Sequence, residues 1–212
     1  MKYQHIIWDW NGTVINDVKL CVRILNEALT YEKLPSITIS NYRKNFSFPV
    51  NLFYKSLGLP SSGFNYKALN TFFISRYKSD FLECNLHTGV QSILAVINNF
   101  GVNQSILSAG KDSDIKEFVN YHDLNKYFSF ISGVRNIRAA GKKEIAKTHL
   151  DKIALEPNKI LLVGDTVHDF EIADYLGIDC ILFSNGHNSE DVLLGKTSRV
   201  ITNYKILESY LF

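Results

Sequence analysis

Cysteine is scarce in this chain: three residues in 212, at positions 21, 84 and 180. An odd, widely spaced set with no C-x-x-C pair makes neither a disulfide framework nor a thiolate zinc site. It predicts reduced, small apolar side chains in a cytoplasmic protein. An excess of one charge is missing too. Lys+Arg number 23 against 21 Asp+Glu, a formal net charge of +2, which argues against nucleic acid as a partner. No window approaches 18 uninterrupted apolar residues, so no membrane span is expected. The start runs directly into a strand-like segment without the basic and apolar regions of a leader. The six histidines show no metal-ligand spacing, and no zinc site is expected. What is present is ordinary: 46% apolar and 21% charged residues, enough for one core, or one core with a small appendage.

Two textures alternate along the chain. From about Asn16 to Cys84 lie three of the four prolines and 12 of the 25 Phe and Tyr residues, with no run of period two. Short helices fit: Val18 to Leu29 capped by Asn16-Asp17, Ser40 to Phe46, Val50 to Leu57, and Asn65 to Phe81. From Leu86 strands and helices alternate. Strands are expected at Asn103–Leu107, Phe128–Ser132, Ile160–Val163 and Cys180–Phe183, with a short one near Val200. The helices between them include one from Val90 ended by Gly101, one capped by Asp112, one over Lys143–Leu155 and one ended by Gly177. Such alternation implies an α/β fold with a Rossmann-like parallel sheet core. A small all-helical cap is inserted after the first strand, giving a core of residues 1–15 and 85–212 and a cap of 16–84.

The first strand, His5-Ile6-Ile7-Trp8, runs into Asp9, and Gly12 follows three positions later. A carboxylate at a buried strand end, facing backbone amides freed by a glycine turn, needs a cation or an electrophile as partner. Parallel sheets bind ligands beyond the carboxyl ends of their strands. The strand ends carry Asp9, Ser108 and Asp165, and Asp169 follows Asp165 by four residues. Two or three carboxylates suit Mg²⁺, which takes oxygen ligands and keeps waters for substrate. Lys142, at the start of the preceding helix, has the charge to neutralise a phosphate, with Ser108 and the Ala109 amide bonding its other oxygens. Asp9 is then the nucleophile. Each residue also has a plainer reading: Asp169 as a helix cap, Ser108 as a turn residue, Lys142 as a surface charge.

Asp9-Trp10-Asn11-Gly12-Thr13, Ser108, Lys142 and Gly164-Asp165-x-x-x-Asp169 resemble, in this order, the four motifs of the haloacid dehalogenase superfamily. Leu86-His87-Thr88-Gly89-Val90 resembles the point where such a chain re-enters its core after a helical cap. The likeness spans essentially the whole chain and is nearest the phosphoglycolate-phosphatase-like branch. It implies a phosphatase acting on a small phosphorylated metabolite as a monomer or homodimer. Asp9 would be nucleophile and Mg²⁺ ligand, the Asn11 carbonyl and Asp165 further ligands, and Asp169 a support of the metal shell. Ser108 and Lys142 would hold the phosphate with amides of Trp10, Asn11 and Ala109, and Gly12, Thr13 and Gly110 would complete the substrate-binding loops.

One residue departs from that pattern. The family's phosphatases usually carry a second Asp where this chain has Asn11. An amide hydrogen-bonds but transfers no proton at neutral pH, and general acid–base help is worth about 10²–10⁴-fold. A poor alkoxide leaving group would feel that loss in full, and an acyl or aryl phosphate much less. Two alternatives stay open: cleavage of a carbon–phosphorus or carbon–halogen bond, with Lys33, Lys44 or Lys55 as a Schiff-base lysine in the phosphonate case, or a phospho-ligand-binding or regulatory protein without turnover. In the cap, Tyr42 to Phe46 with Phe48-Pro49 is the stretch expected to face substrate, Arg43 gripping a carboxylate or second phosphate or standing as a solvated helix charge. His168 lies between two site carboxylates, either as a proton carrier or as an exposed loop residue.

Overall fold

The central strand β1 (His5–Trp8) is buried along its whole length. It is flanked on one side by β4 (Asn103–Lys111) and on the other by β6 (Ile160–Gly164), both parallel to it. The computed structural model describes residues 2–134 and 142–212, without the side chains of Lys142 and Glu144. After His5 the β1 sequence is apolar because both faces are covered. Outward from β4 lies β5 (Phe130–Val134), and outward from β6 lie β7 (Asp179–Phe183) and β8 (Val200–Ile201). The sheet order β5-β4-β1-β6-β7-β8 reverses direction at β1, and that reversal opens a crevice beyond the strand ends.

Helices α5 (Val90–Asn99), α6 (Asp112–Tyr121), α7 (Lys142–Ile153), α8 (Val167–Leu176), α9 (Glu190–Leu194) and α10 (Tyr204–Leu211) accompany these strands. One sheet face packs Ile6, Trp8, Ile106, Leu161 and Val163 against α5 and α10, and the other packs Ile7, Leu107, Leu162 and Leu182 against α7 and α8. Strand β4 runs past the expected end at Ser108. Its register with β5 breaks after Leu107 and resumes at Lys111↔Val134, so residues 108–110 form a bulge that turns backbone towards the crevice. Helix α6 starts with Asp112 as a helical residue after Lys111, not with Asp112 as its cap.

Between β1 and α5 the chain departs into helices α1 (Val18–Tyr31), α2 (Ile39–Asn45), α3 (Val50–Ser56) and α4 (Gly63–Asp80). They bury Leu25, Leu29, Tyr42, Phe53 and Tyr54 in a core of their own. Two strands of two residues, β2 (Ile15–Asn16) and β3 (Asn85–Leu86), pair antiparallel where the chain leaves and returns. Phe73 and Tyr77 of α4 pack against both this helical core and the core below the sheet, which seats the helical unit over the strand ends.

Candidate active site

Asp9 continues the β1 ladder by one bond, its amide donating to the Val163 carbonyl at 2.9 Å. That places its carboxylate just beyond the end of β1, beside Asp165 after β6. Carboxylate oxygens of Asp9, Asp165 and Asp169 lie within 4.8 Å of one another, and all three residues are buried. The Thr13 hydroxyl donates to Asp165 Oδ1 and the His187 amide to Oδ2. A Cβ on Gly12 (φ +75°) or on Gly186 would overlap the Asp165 carboxyl group, so both turns need glycine to approach it. Burial, with Asp169 nearby, pushes the Asp165 carboxyl up to about 7. Three buried carboxylates this close repel one another, and a small oxygen-seeking cation relieves that repulsion. The donor set fits Mg²⁺.

Asp169 serves two ends. Its Oδ2 accepts from the Thr166 amide and hydroxyl and from the Asp165 amide, closing a capping box at the start of α8. Ser108 is buried at the bulge and accepts from the Gly110 amide at 3.1 Å. Asp9, Trp10, Asn11, Ser108, Ala109, Gly110 and Asp169 all line one cavity of about 440 Å³ between the sheet and the helical unit. The buried Trp10 Nε1 in that lining has no acceptor among the described residues. Lys142 begins α7, and its side chain lies outside the described residues.

Some expected contacts are placed elsewhere. The Gly12 amide is spent on Asp17 Oδ1 and the Ile15 carbonyl, and the Thr13 hydroxyl on Asp165. These two residues brace the loop, and neither lines the cavity. Arg43 is not among the described residues that line the cavity. Its guanidinium donates to the main-chain carbonyls of Ser184 and Asn188. Asn188 returns a bond from Nδ2 to the Phe46 carbonyl at 2.8 Å and accepts from the Val167 amide at 2.9 Å. The pair latches α2 to the start of α8. His168 stacks on Phe48 with ring centroids 4.8 Å apart and faces Glu171.

Two residues that sequence reasoning passed over sit at the centre. Asp17, expected to cap α1, makes no side-chain cap bond. Its fully buried carboxylate accepts instead from Asn11 Nδ2 at 2.7 Å, the Tyr77 hydroxyl at 2.8 Å and the Gly12 amide at 2.9 Å, and pairs with His187 Nε2 at 3.3 Å. Burial alone would lower His187, but Asp17 beside it outweighs burial and holds the imidazole at about 9. Burial would likewise raise Asp17, and His187 brings it below the usual range. Cys21 Sγ lies near both, and burial and Asp17 keep it protonated. These atoms satisfy one another as a hydrogen-bonded ion pair. The signal in the sequence was only an acid eight residues after Asp9. Nothing local marks His187, which arrives from 170 residues downstream of Asp17.

Residues 6–183 match the haloacid dehalogenase-like hydrolase family. The chain is 21% identical over 206 residues to the tyrosine-protein kinase PtkA of Mycobacterium tuberculosis, covering 94% of this chain and 68% of that protein. The solved structure of a predicted phosphatase from Clostridium acetobutylicum superimposes with a TM-score of 0.84 at 14% identity, covering 100% of this chain and 99% of that one. A predicted phosphoglycolate phosphatase from Haemophilus somnus gives 0.80 at 16% identity, covering 100% and 99%. At such identities these two structures speak for the fold. With the family matched across the sheet, the helical insertion and the carboxylate loops, the chain belongs to the haloacid dehalogenase-like hydrolases.

Proposed function

We propose that this hydrolase is a Mg²⁺-dependent phosphatase that passes the phosphoryl group through Asp9. The observation that carries the reading is the meeting of Asp9, Asp165 and Asp169 beside Ser108 at the carboxyl ends of β1, β4 and β6. Asp9, Asp165 and the Asn11 carbonyl would hold the cation, with Asp169 orienting the loop. When bound, the cation neutralises charge on the carboxylates and on the phosphoryl oxygens. Ser108 and the amides of the bulge would fix the remaining phosphoryl oxygens, with Lys142 as counter-charge. Asp9 attacks phosphorus, the bond to the leaving oxygen breaks, and water later releases phosphate from the aspartyl ester.

Asn11 lowers the efficiency of both steps. Its amide is held by Asp17 and Tyr77 and has no proton to lend the leaving oxygen or to take from water. Esters with good leaving groups are therefore favoured, and the aspartyl-phosphate persists. Phosphonate cleavage has less support. Lys33, Lys44 and Lys55 are outside the described cavity lining. Lys78, which is inside it, is paired with Asp114 and Glu117, and these pairs keep the amine protonated. Hydrolysis of para-nitrophenyl phosphate should require a divalent cation and be lost in Asp9→Asn. Unchanged turnover in that variant would refute the reading.

A further inference from the structure

We propose that the alcohol part of the substrate is aromatic, so that the enzyme takes aryl phosphate monoesters rather than small anionic alkyl phosphates. This rests on the phosphatase reading above and names the substrate class of the same site. The cavity has two unlike ends. At the floor are Asp9, Ser108 and the Ala109 amide. The walls away from the floor come from Phe46, Phe53, Tyr54, Tyr66 and Phe73. Its volume, about 440 Å³, lies in the range that encloses ligands well beyond two or three carbons.

The tyrosines nearest the floor present rings rather than hydroxyls. The Tyr42 hydroxyl is bonded to His187 Nδ1 at 2.9 Å and the Tyr77 hydroxyl to Asp17. A second anionic group on the substrate finds little to hold it. Arg43 is latched onto main-chain carbonyls, His187 is paired with Asp17, and Lys78 is paired with two acids. Lys111, the other lysine among the described lining, is solvent-exposed, where water screens an ion pair to little worth. Aromatic faces in such a chamber favour a flat apolar ring through offset or edge contacts.

Leaving-group chemistry points the same way from a separate observation. With Asn11 in place of an acid, the leaving oxygen departs as an anion. A phenol has a pKa near 10, as tyrosine does, against roughly 16 for an alcohol, close to water itself. In the first step an Asp9 oxygen bonds to phosphorus as the phosphorus–aryloxide bond breaks, and the aryloxide takes the electron pair. In the second, water oxygen bonds to phosphorus and the bond to Asp9 breaks. The proton lost by water balances the one gained by the aryloxide, giving a phenol and hydrogen phosphate.

Binding and turnover separate this proposal from the reading it rests on. By titration calorimetry with Mg²⁺ present, benzylphosphonate and 2-naphthylmethylphosphonate should bind more tightly than 3-phosphonopropionate, the naphthyl compound by on the order of tenfold or more. In turnover, 2-naphthyl phosphate should exceed phenyl phosphate in kcat/KM, although the two phenols leave about equally well, and both should exceed phosphoglycolate. Ile74, half-exposed in the chamber wall, can be changed without touching the floor. Ile74→Glu should shrink the aryl preference, and Ile74→Gln should do so more mildly, with inhibition by inorganic phosphate unaltered. Equal or tighter binding of 3-phosphonopropionate, or faster turnover of phosphoglycolate, would overturn the proposal while leaving a phosphatase. Tight aryl phosphonate binding with no ester hydrolysed would support the aromatic chamber and sink the phosphatase reading instead.

Discussion

The floor and the walls of the cavity are built by opposite means. The floor comes from the ends of three adjacent strands and a bulge, and its groups are polar or charged, buried and held by hydrogen bonds. Asp165, Asp169 and Asp17 each accept several donors at defined positions. The walls come from α2, α3 and α4, whose aromatic residues also form the helical unit's own core. Tyr42 stacks on Phe46 there, and both meet Phe53 edge-on. Removing a floor group leaves a buried charge or donor unmatched, whereas changing a wall residue alters an area of apolar contact. On the proposed function, chemistry is concentrated in a few atoms of the floor and specificity is spread over the walls.

The largest effect is expected at Asp9 in the floor. Asp9→Asn should lower turnover of aryl phosphates by on the order of 10³-fold or more with an unchanged or raised thermal midpoint, since one of three close carboxylates is gone. Steady-state kinetics and calorimetry read both. Next in size is Asn11→Asp. A carboxylate oxygen placed where Asn11 Nδ2 now donates would face Asp17 at hydrogen-bonding distance. We expect a stability loss of about 2–4 kcal/mol in chemical denaturation, largely recovered in the double variant Asn11→Asp, Asp17→Asn. Only that double variant should gain on alkyl phosphates.

Saturating Mg²⁺ should raise stability by about 2.7 kcal/mol at a hundredfold excess over its Kd, and Asp165→Asn should erase most of that gain. The latch between floor and walls comes next. Arg43→Met keeps the aliphatic stem but frees two main-chain carbonyls, and should cost about 1–3 kcal/mol while raising KM more than it lowers kcat.

The smallest effect is a pH profile. Burial drives His5 down to about 4 and His149 to about 3, both bonded through the Ser105 hydroxyl. Their folded values lie below the unfolded 6.5, so the stability they lend is complete above 6.5 and is lost as pH falls towards 4. His187 runs oppositely. Its folded value of about 9 lends stability that is complete below 6.5 and is lost as pH rises through 9. The thermal midpoint without divalent cation should thus fall on both sides of about pH 6.5. His149→Gln should flatten the acid side alone.

Much of the floor was readable along the chain because its signals are local. Ile160 to Val163 and Ile6 to Trp8 are apolar runs that make sense only as doubly covered strands, and an acid follows each within two residues. Gly177 ends α8 in a left-handed turn, as expected of a glycine after an apolar stripe. The parts that were not readable depend on partners far away in sequence. Asp17 looks like a helix cap until His187 and Tyr77 are brought to it. Arg43 looks like a substrate clamp until Ser184 and Asn188 present their carbonyls. Strands β2 and β3, two residues each, carry no periodicity at all. The extension of β4 beyond Ser108 depends on a partner, Val134, that no local pattern announces.

In the proposed mechanism the phosphoryl group rests on Asp9 and leaves slowly for want of a base at position 11. Rapid mixing with excess 2-naphthyl phosphate and Mg²⁺, followed by acid quench and peptide mass mapping, tests it directly. The expected result is a burst of 2-naphthol close to one equivalent per chain, with the phosphoryl adduct on the peptide containing Asp9. Steady turnover with no burst and no adduct, or an adduct on any other residue, would contradict it.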